Sequence, residues 1–404
     1  MSHSSWTRLL ALLLPDETDR LLLKMCTLEG EACARATGAW LAAVGSPTEY
    51  FRLDRQCHKR LLPLLAGTMR QARVDLPEDF GAVLRAAELH ETLRARTFQR
   101  HALQILDTLL GAGIDVVLLP GVALVPRHYR DWPLRHCHDL DLWVAERDRT
   151  AVEGVLARDS VCRQKAPADR RGSSILETES GFQVALHTHL SPMHLLEPPR
   201  EALLARRRSI VLEGCRVDTL GDTDLLFYVC LRAACSVGRR SLRWACDAVR
   251  LLDSSPAIDW EHFLETARIT GAGLPLSVML GFLSGELGAV VPPAVMQRLT
   301  DETALTPEFA EAFCHMVALN QNLHAGRLLR SAPDLRIRFA LVRYLIFPSA
   351  SFLGRERGLT GGRALSGEYL RRVRLATQRV AGLHRLPVAR PLGNEGREGE
   401  ERRV

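Results

Sequence analysis

Asp139 and Asp141 stand one residue apart in the stretch HDLDLWV, residues 138 to 144. The run around them is apolar and predicts a β-strand, a setting that normally excludes ionised side chains. Residues i and i+2 of a strand share a face, so the two carboxylates project together while Leu140 and Leu142 turn to the core. Adjacent carboxylates repel unless a cation lies between them. The spacing suits Mg²⁺, which takes oxygens from one or two carboxylates plus substrate phosphates. It suits equally a strand end entering solvent, with Arg135 as the neutralising cation.

Other residue types offer weaker chemistry. The HCH run at 136 to 138 and the set His187, His189 and His194 hold metal-ligating side chains, but neither has a recognised zinc spacing. The ten cysteines form no CxxC pair, and several lie in apolar helical contexts such as LLFYVCLRAAC, where a free thiol acts as a small hydrophobe. That usage points to a reducing compartment. Of the 53 basic residues only three are lysines, and arginines cluster in ARRRS, 205 to 209, and LRRVRLATQRV, 370 to 380. Guanidinium groups suit phosphate, and they also suit solvated helix faces. No basic stripe is interleaved with stacking aromatics, which argues against nucleic acid as a partner. No apolar run approaches the ~20 residues of a membrane span, and RLLALLLPDE near the start is too short for a leader. The expectation is a cytoplasmic protein.

The elements that must position the carboxylates follow from periodicity. Apolar residues recur at three-to-four spacing from Leu9 to His101 and on to Gly111 and Gly113, which predicts helices closed by a glycine stop. The pattern then changes. IDVVLLPG (114 to 121) predicts a strand closed by a turn, HDLDLWV a second, and SILETESGFQVALHTHL (174 to 190) two more around an ESG turn. RDRTAVEGVLARD predicts an amphipathic helix between them. After about residue 220 the pattern is helical again, and the tail from Arg390 lacks apolar residues and is expected to be disordered. The organisation is therefore α+β: a helical region over 1–100, an α/β core over 101–220 with a mixed sheet of three to five strands, a helical domain over 221–385, and a tail over 386–404.

The ordered set of residues in GIDVVLLPGVALVPRHYRDWPLRHCHDLDLWV resembles the uncharacterised nucleotidyltransferase family of the DNA polymerase beta-type superfamily. That family has a strand ending in Leu-Lys-Gly, a short helix ending in Tyr, an Arg, and Asp-hydrophobic-Asp on the next strand. Leu119, Gly121, Tyr129, Arg135, Asp139 and Asp141 take those places. VALHTHL is similar to the family's strand ending in Leu-His, and LGDTDLLFYVCLRAA, LRWACDAVRLLD and IDWEHFLETARITG to its helical half, including Trp244, Asp247 and Trp260. The similarity spans about residues 85 to 350.

The resemblance implies a polymerase beta-type core in which Asp139 and Asp141 bind metal and act in catalysis. Gly121, Arg135 and His187 would then lie at the nucleotide, two Mg²⁺ ions would serve the reaction, and NMP would pass from NTP to a hydroxyl acceptor. A glycine suits the phosphate turn because a Cβ would obstruct close backbone approach. Three positions depart from the family: Pro120 replaces the lysine, Ala185 the third acid, and Arg232 a histidine of the first downstream helix. Glu177, Glu179 or His187 are candidates to make good the missing acid. Arg127 and Arg130, after the glycine turn, face either the nucleotide or water. The second reading is a degenerate member that binds a nucleotide or a protein partner as a regulatory or scaffold subunit.

Overall fold

In a computed structural model, the described residues run from 10 to 301, apart from 12–13, 53–55, 130, 159–161, 167–173, 191–196, 236–240 and 255–257. Beyond 301 they are chiefly 362–380. The chain divides into two compact units, Met1–Pro333 and Asp334–Val404. In the second, helix Gly362–Val380 carries an internal ion-pair set in which Glu368 accepts from Arg371 and Arg372. The tail over 386–404 lies outside the described residues. No described helix is long and apolar enough to cross a membrane, and the eight described cysteines are free thiols.

The first unit opens with six helices: α1 Glu17–Thr27, α2 Gly30–Val44, α3 Pro47–Arg52, α4 Gln56–Lys59, α5 Leu62–Ala72 and α6 Glu78–Gly111. Asp16 caps α1 by accepting from the Asp19 N–H at 3.0 Å. α6 runs through residue 100 and ends at the glycine stop, where Gly113 has φ 72°. Its apolar stripe, Phe98, Ala102, Ile105, Leu106 and Leu109, is buried at helical spacing. α5 approaches the segment before Arg135 closely: a Cβ on Gly67 would lie 2.8 Å from Leu134 Cδ2, so a larger residue there would require the Leu134 side chain to shift.

The sheet that α6 covers contains seven strands: β1 Val117–Leu118, β2 Asp139–Trp143, β3 Arg163–Ala166, β4 Ser174–Glu177, β5 Gln183–His187, β6 Arg208–Leu212 and β7 Cys215–Thr219. Their order is β3-β4-β5-β2-β1-β7-β6. β2 pairs antiparallel with β1 and parallel with β5, and β1 pairs parallel with β7. The sheet is thus mixed, as the pattern implies, but larger than the three to five strands expected. The unexpected strands are β3, β6 and β7; in the last two, Ile210, Leu212 and Val217 are buried while Val211 and Arg216 face outward, so that one face alone is buried. Their tight turn is Glu213-Gly214, with φ 48° and 88°, the positive values a two-residue hairpin loop requires.

One face of the sheet is apolar. Leu118, Leu140, Leu142, Leu176, Val184 and Leu186 join the α6 stripe and Leu156 of α7 (Arg149–Arg158) in one core. Burying each such leucine contributes about 1.5–3 kcal/mol. The chain continues through α8 Arg200–Ala205 to a helical half: α9 Asp222–Cys235, α10 Arg243–Ser254, α11 Trp260–Thr270, α12 Gly273–Leu287 and α13 Pro293–Asp301. α9 is buried almost all round. Its first turn holds two buried carboxylates: Asp222 accepts from Arg127 at 2.8 Å, and Asp224 from Arg206 at 3.2 Å and from His262 at 2.8 Å. Negative charge is favourable at a helix N-terminus; the Asp222 pair fixes α9 to the segment after Gly121, and the Asp224 pairs fix it to the end of α8 and to α11. Arg127 therefore serves Asp222, and Arg130 lies outside the described residues.

Candidate active site

Asp139 and Asp141 project from β2 on the face opposite Leu140 and Leu142, and their side chains retain 28% and 14% exposure. They open to solvent while the leucines between them are fully buried. The alternation is the pleat's own consequence. Asp141 lies level with Ala185 across the parallel β2/β5 pair, and Asp139 level with Gln183. His187, one step further along that face of β5, places Nε2 2.7 Å from Asp141 Oδ1. His138 Nε2 lies 3.3 Å from Asp139 Oδ2.

The two carboxyls are driven apart in acidity. Burial, and next the Asp141 charge, push Asp139 up to about 6 against the pull of Arg243 and Arg232. Burial also opposes ionisation of Asp141, but the His187 hydrogen bond and charge, with Arg232, outweigh it and hold Asp141 at about 2. His138 is pushed down to about 2 by burial and then by Arg243 and Arg60, which keeps it neutral. One carboxylate is thus fixed in charge, and the other sits close to a proton exchange near neutral pH.

The glycine turn lies beside this pair. Leu119 N–H donates to the Asp141 carbonyl at 3.1 Å, so the chain turns away at Pro120 and Gly121 at the Asp139 end of β2. Gly121 has φ 140° and ψ −105°, a region that L side chains rarely adopt. Pro120 contributes no backbone N–H to the turn.

Arg135 points elsewhere than at the aspartates. It is buried and grips Asp247 of α10 with two hydrogen bonds of 2.8 Å, from Nε and Nη2, while Nη1 lies 3.3 Å from Cys137 Sγ. Tyr129 donates to Asp247 Oδ1 at 2.7 Å. Of the roles open to Arg135 in the sequence, counter-ion to a carboxylate is the one seen, but the carboxylate is Asp247, 112 residues away. Asp247 thereby ties the helical half to the core, whereas Trp244 packs within that half on Phe282 at 5.8 Å between centroids. No local spacing points to the Arg135–Asp247 pair.

The candidates for a third acid are separated from β2. Glu177 shares the face of Asp139 but lies two strands away, with Gln183 between, and pairs with Arg163 at 3.7 Å. Two strand spacings amount to about 9.6 Å. Glu179 is exposed in the turn before β5. Among the described residues no group of three or more His, Cys, Asp or Glu side chains is placed to hold a metal. The donor set present, two carboxylates on one face opening to solvent, fits a single Mg²⁺ completed by phosphate oxygens.

Cations around the pair come from elements the motif does not include. Arg232 of α9 donates to Tyr228 Oη at 2.6 Å, Arg243 of α10 donates to the His136 carbonyl, and Arg60 follows α4. The position read as a lost histidine therefore carries a guanidinium that bears on both aspartates.

Comparison with known proteins agrees with this architecture. Residues 53–284 match the family model of an uncharacterised nucleotidyltransferase. No curated protein and no solved structure matches the chain. The matched segment takes in the glycine turn, both aspartates and most of the helical half, and it exceeds half of the 404 residues. The chain belongs to the uncharacterised nucleotidyltransferase family.

Proposed function

We propose that this protein transfers a nucleoside monophosphate from a nucleoside triphosphate to a hydroxyl on a small molecule, carbohydrate or peptide, in a Mg²⁺-dependent reaction. The observation that carries the reading is the Asp139/Asp141 pair on one strand face, beside the Gly121 turn, in a nucleotidyltransferase-family core. In the reaction the acceptor oxygen bonds to the α-phosphorus, the bond from that phosphorus to the β-phosphate oxygen breaks, and pyrophosphate leaves. Asp139 and Asp141 are the residues that would hold Mg²⁺, which would supply charge neutralisation and lower the pKa of the attacking hydroxyl. Asp141, locked by His187, stays ionised throughout the neutral range.

A second reading has its own observation. Ala185 stands level with Asp141 where the family resemblance calls for an acid, which favours a degenerate member that binds nucleotide, or a partner protein, without turning over. Purified protein incubated with each labelled NTP, Mg²⁺ or Mn²⁺ and a cell extract separates the two. Label on an acceptor, abolished by Asp139→Asn and Asp141→Asn, supports transfer; retained NTP binding with no labelled product supports the degenerate member.

A further inference from the structure

The chain's positive charge is not shared between its two units. Residues 1–333 hold 38 basic and 40 acidic side chains, whereas residues 334–404 hold 15 arginines against seven acids. The net charge of +6 therefore comes from the second unit alone.

That unit also exposes large apolar side chains. Leu335 and Phe339 are 76% and 73% exposed and, with Val342 and Ile346, recur at the four-three-four spacing of one helix face. Leu370 is 72% exposed on the helix Gly362–Val380, and Val373 is exposed three residues further on. Phe347, itself half exposed, joins the two helical stretches: its ring centroid lies 6.1 Å from that of Tyr369, the residue before Leu370.

Charge and apolar surface coincide on the helix Gly362–Val380. Arg363, Leu370 and Arg374 fall at i, i+7 and i+11, on one exposed face. Neither arginine has an acidic partner among the described residues. The helix's single acid, Glu368, is buried and accepts from Arg371 and Arg372. The exposed face is thus cationic, with an aliphatic centre and no carboxylate.

Anionic lipid headgroups spread negative charge in two dimensions over an apolar layer. Aliphatic and aromatic side chains sink into that layer while guanidinium groups stay with the phosphates. A nucleic acid would use the arginines, but it would leave the aliphatic centre with nothing to stack on. We infer that the second unit is a peripheral membrane anchor, which lays Leu335, Phe339 and Leu370 into the interface of an anionic lipid surface while Arg363 and Arg374 hold its phosphates. Such a helix lies in the plane of the surface, so no membrane-crossing helix is required. The inference does not depend on the transfer reading.

The test is co-sedimentation of the full chain with vesicles of phosphatidylcholine alone, or with about one third phosphatidylglycerol, at physiological ionic strength. The expected result is binding to the anionic vesicles only, weakened at about 0.5 M salt. Arg363→Gln combined with Arg374→Gln should weaken it about tenfold or more through lost charge, and Leu370→Gln or Phe339→Ser by about the same factor at unchanged charge. All four side chains are exposed, so these variants keep their fold, which circular dichroism verifies. Brominated lipid chains should quench the added fluorescence of Phe339→Trp. Equal binding to neutral vesicles, no binding to anionic ones, or anionic binding that Leu370→Gln and Phe339→Ser leave unchanged would overturn the anchor. So would self-association in lipid-free buffer, or binding of single-stranded RNA, that the same substitutions abolish, since the face would then belong to a second copy or to a nucleic acid.

Discussion

Asp141 and Ala185 stand level with one another on neighbouring parallel strands, their side chains on the same face of the sheet. A carboxylate at 185 would therefore join the pair on β2, and Ala185→Asp should increase Mg²⁺ affinity and NMP transfer. It should also lower the unfolding temperature in EDTA, because a third negative charge joins two others, and Mg²⁺ should restore it. Calorimetry and thermal unfolding with and without Mg²⁺ check this. A fall in stability that Mg²⁺ does not reverse would defeat it.

Asp139→Asn should stabilise the metal-free protein at pH 8. A carboxyl raised to about 6 when folded binds its proton more tightly than in the unfolded chain. Its contribution to stability is therefore greatest below the unfolded value of about 3.9 and declines as pH rises to about 6. Asparagine removes that decline, for a gain on the order of 1–3 kcal/mol at pH 8, or a few degrees, and little at pH 4. Asp141→Asn should act oppositely, since Asp141 is held at about 2 and loses its His187 pairing. Thermal unfolding of both variants at pH 4 and pH 8 in EDTA decides the matter.

Asp247→Ala leaves the buried Arg135 guanidinium and the Tyr129 hydroxyl without their shared acceptor. Breaking a buried pair by removing one partner costs about 3–5 kcal/mol. Urea denaturation should show a loss of that order. A loss below about 1 kcal/mol, the scale of an ordinary surface change, would contradict the assignment.

Gly121→Ala tests conformation more than space. The nearest atom to an added Cβ, Arg135 Nη1, is 3.6 Å away, an ordinary contact, but φ of 140° is strained for alanine. The expected cost is about 1–3 kcal/mol of stability, with weaker NTP binding as the turn relaxes. Unchanged denaturant midpoint and NTP affinity would show that the turn adapts without cost.

The strand bearing the aspartates, the hairpin ending at His187 and the helical half were legible because their apolar residues follow the periods of 2 and 3.6 without interruption. β6 and β7 were not, since Arg206, Arg207 and Arg208 read as a charge cluster although Arg208 begins a strand. The partner of Arg135 was hidden for a different reason: Asp247 lies far away in the chain, and pairing at such a distance leaves no trace in local spacing. Arg60 was missed likewise, sitting in a helical stretch with no motif around it, and only the fold brings it near His138.

The β1/β7 pairing also sets a schedule for the protein's birth. Val117 and Leu118 find Asp218 and Thr219 as ladder partners, and Leu140 finds Val184. At ~5–20 residues per second, the ribosome delivers β7 roughly 5–20 s after β1. β5 precedes β7 in the chain and can cover β2 first, so until β7 emerges the open edge is that of β1, a geometry that invites pairing with a neighbouring nascent chain. Truncation between β2 and β7 should therefore leave the β1 edge open and yield fragments prone to aggregate.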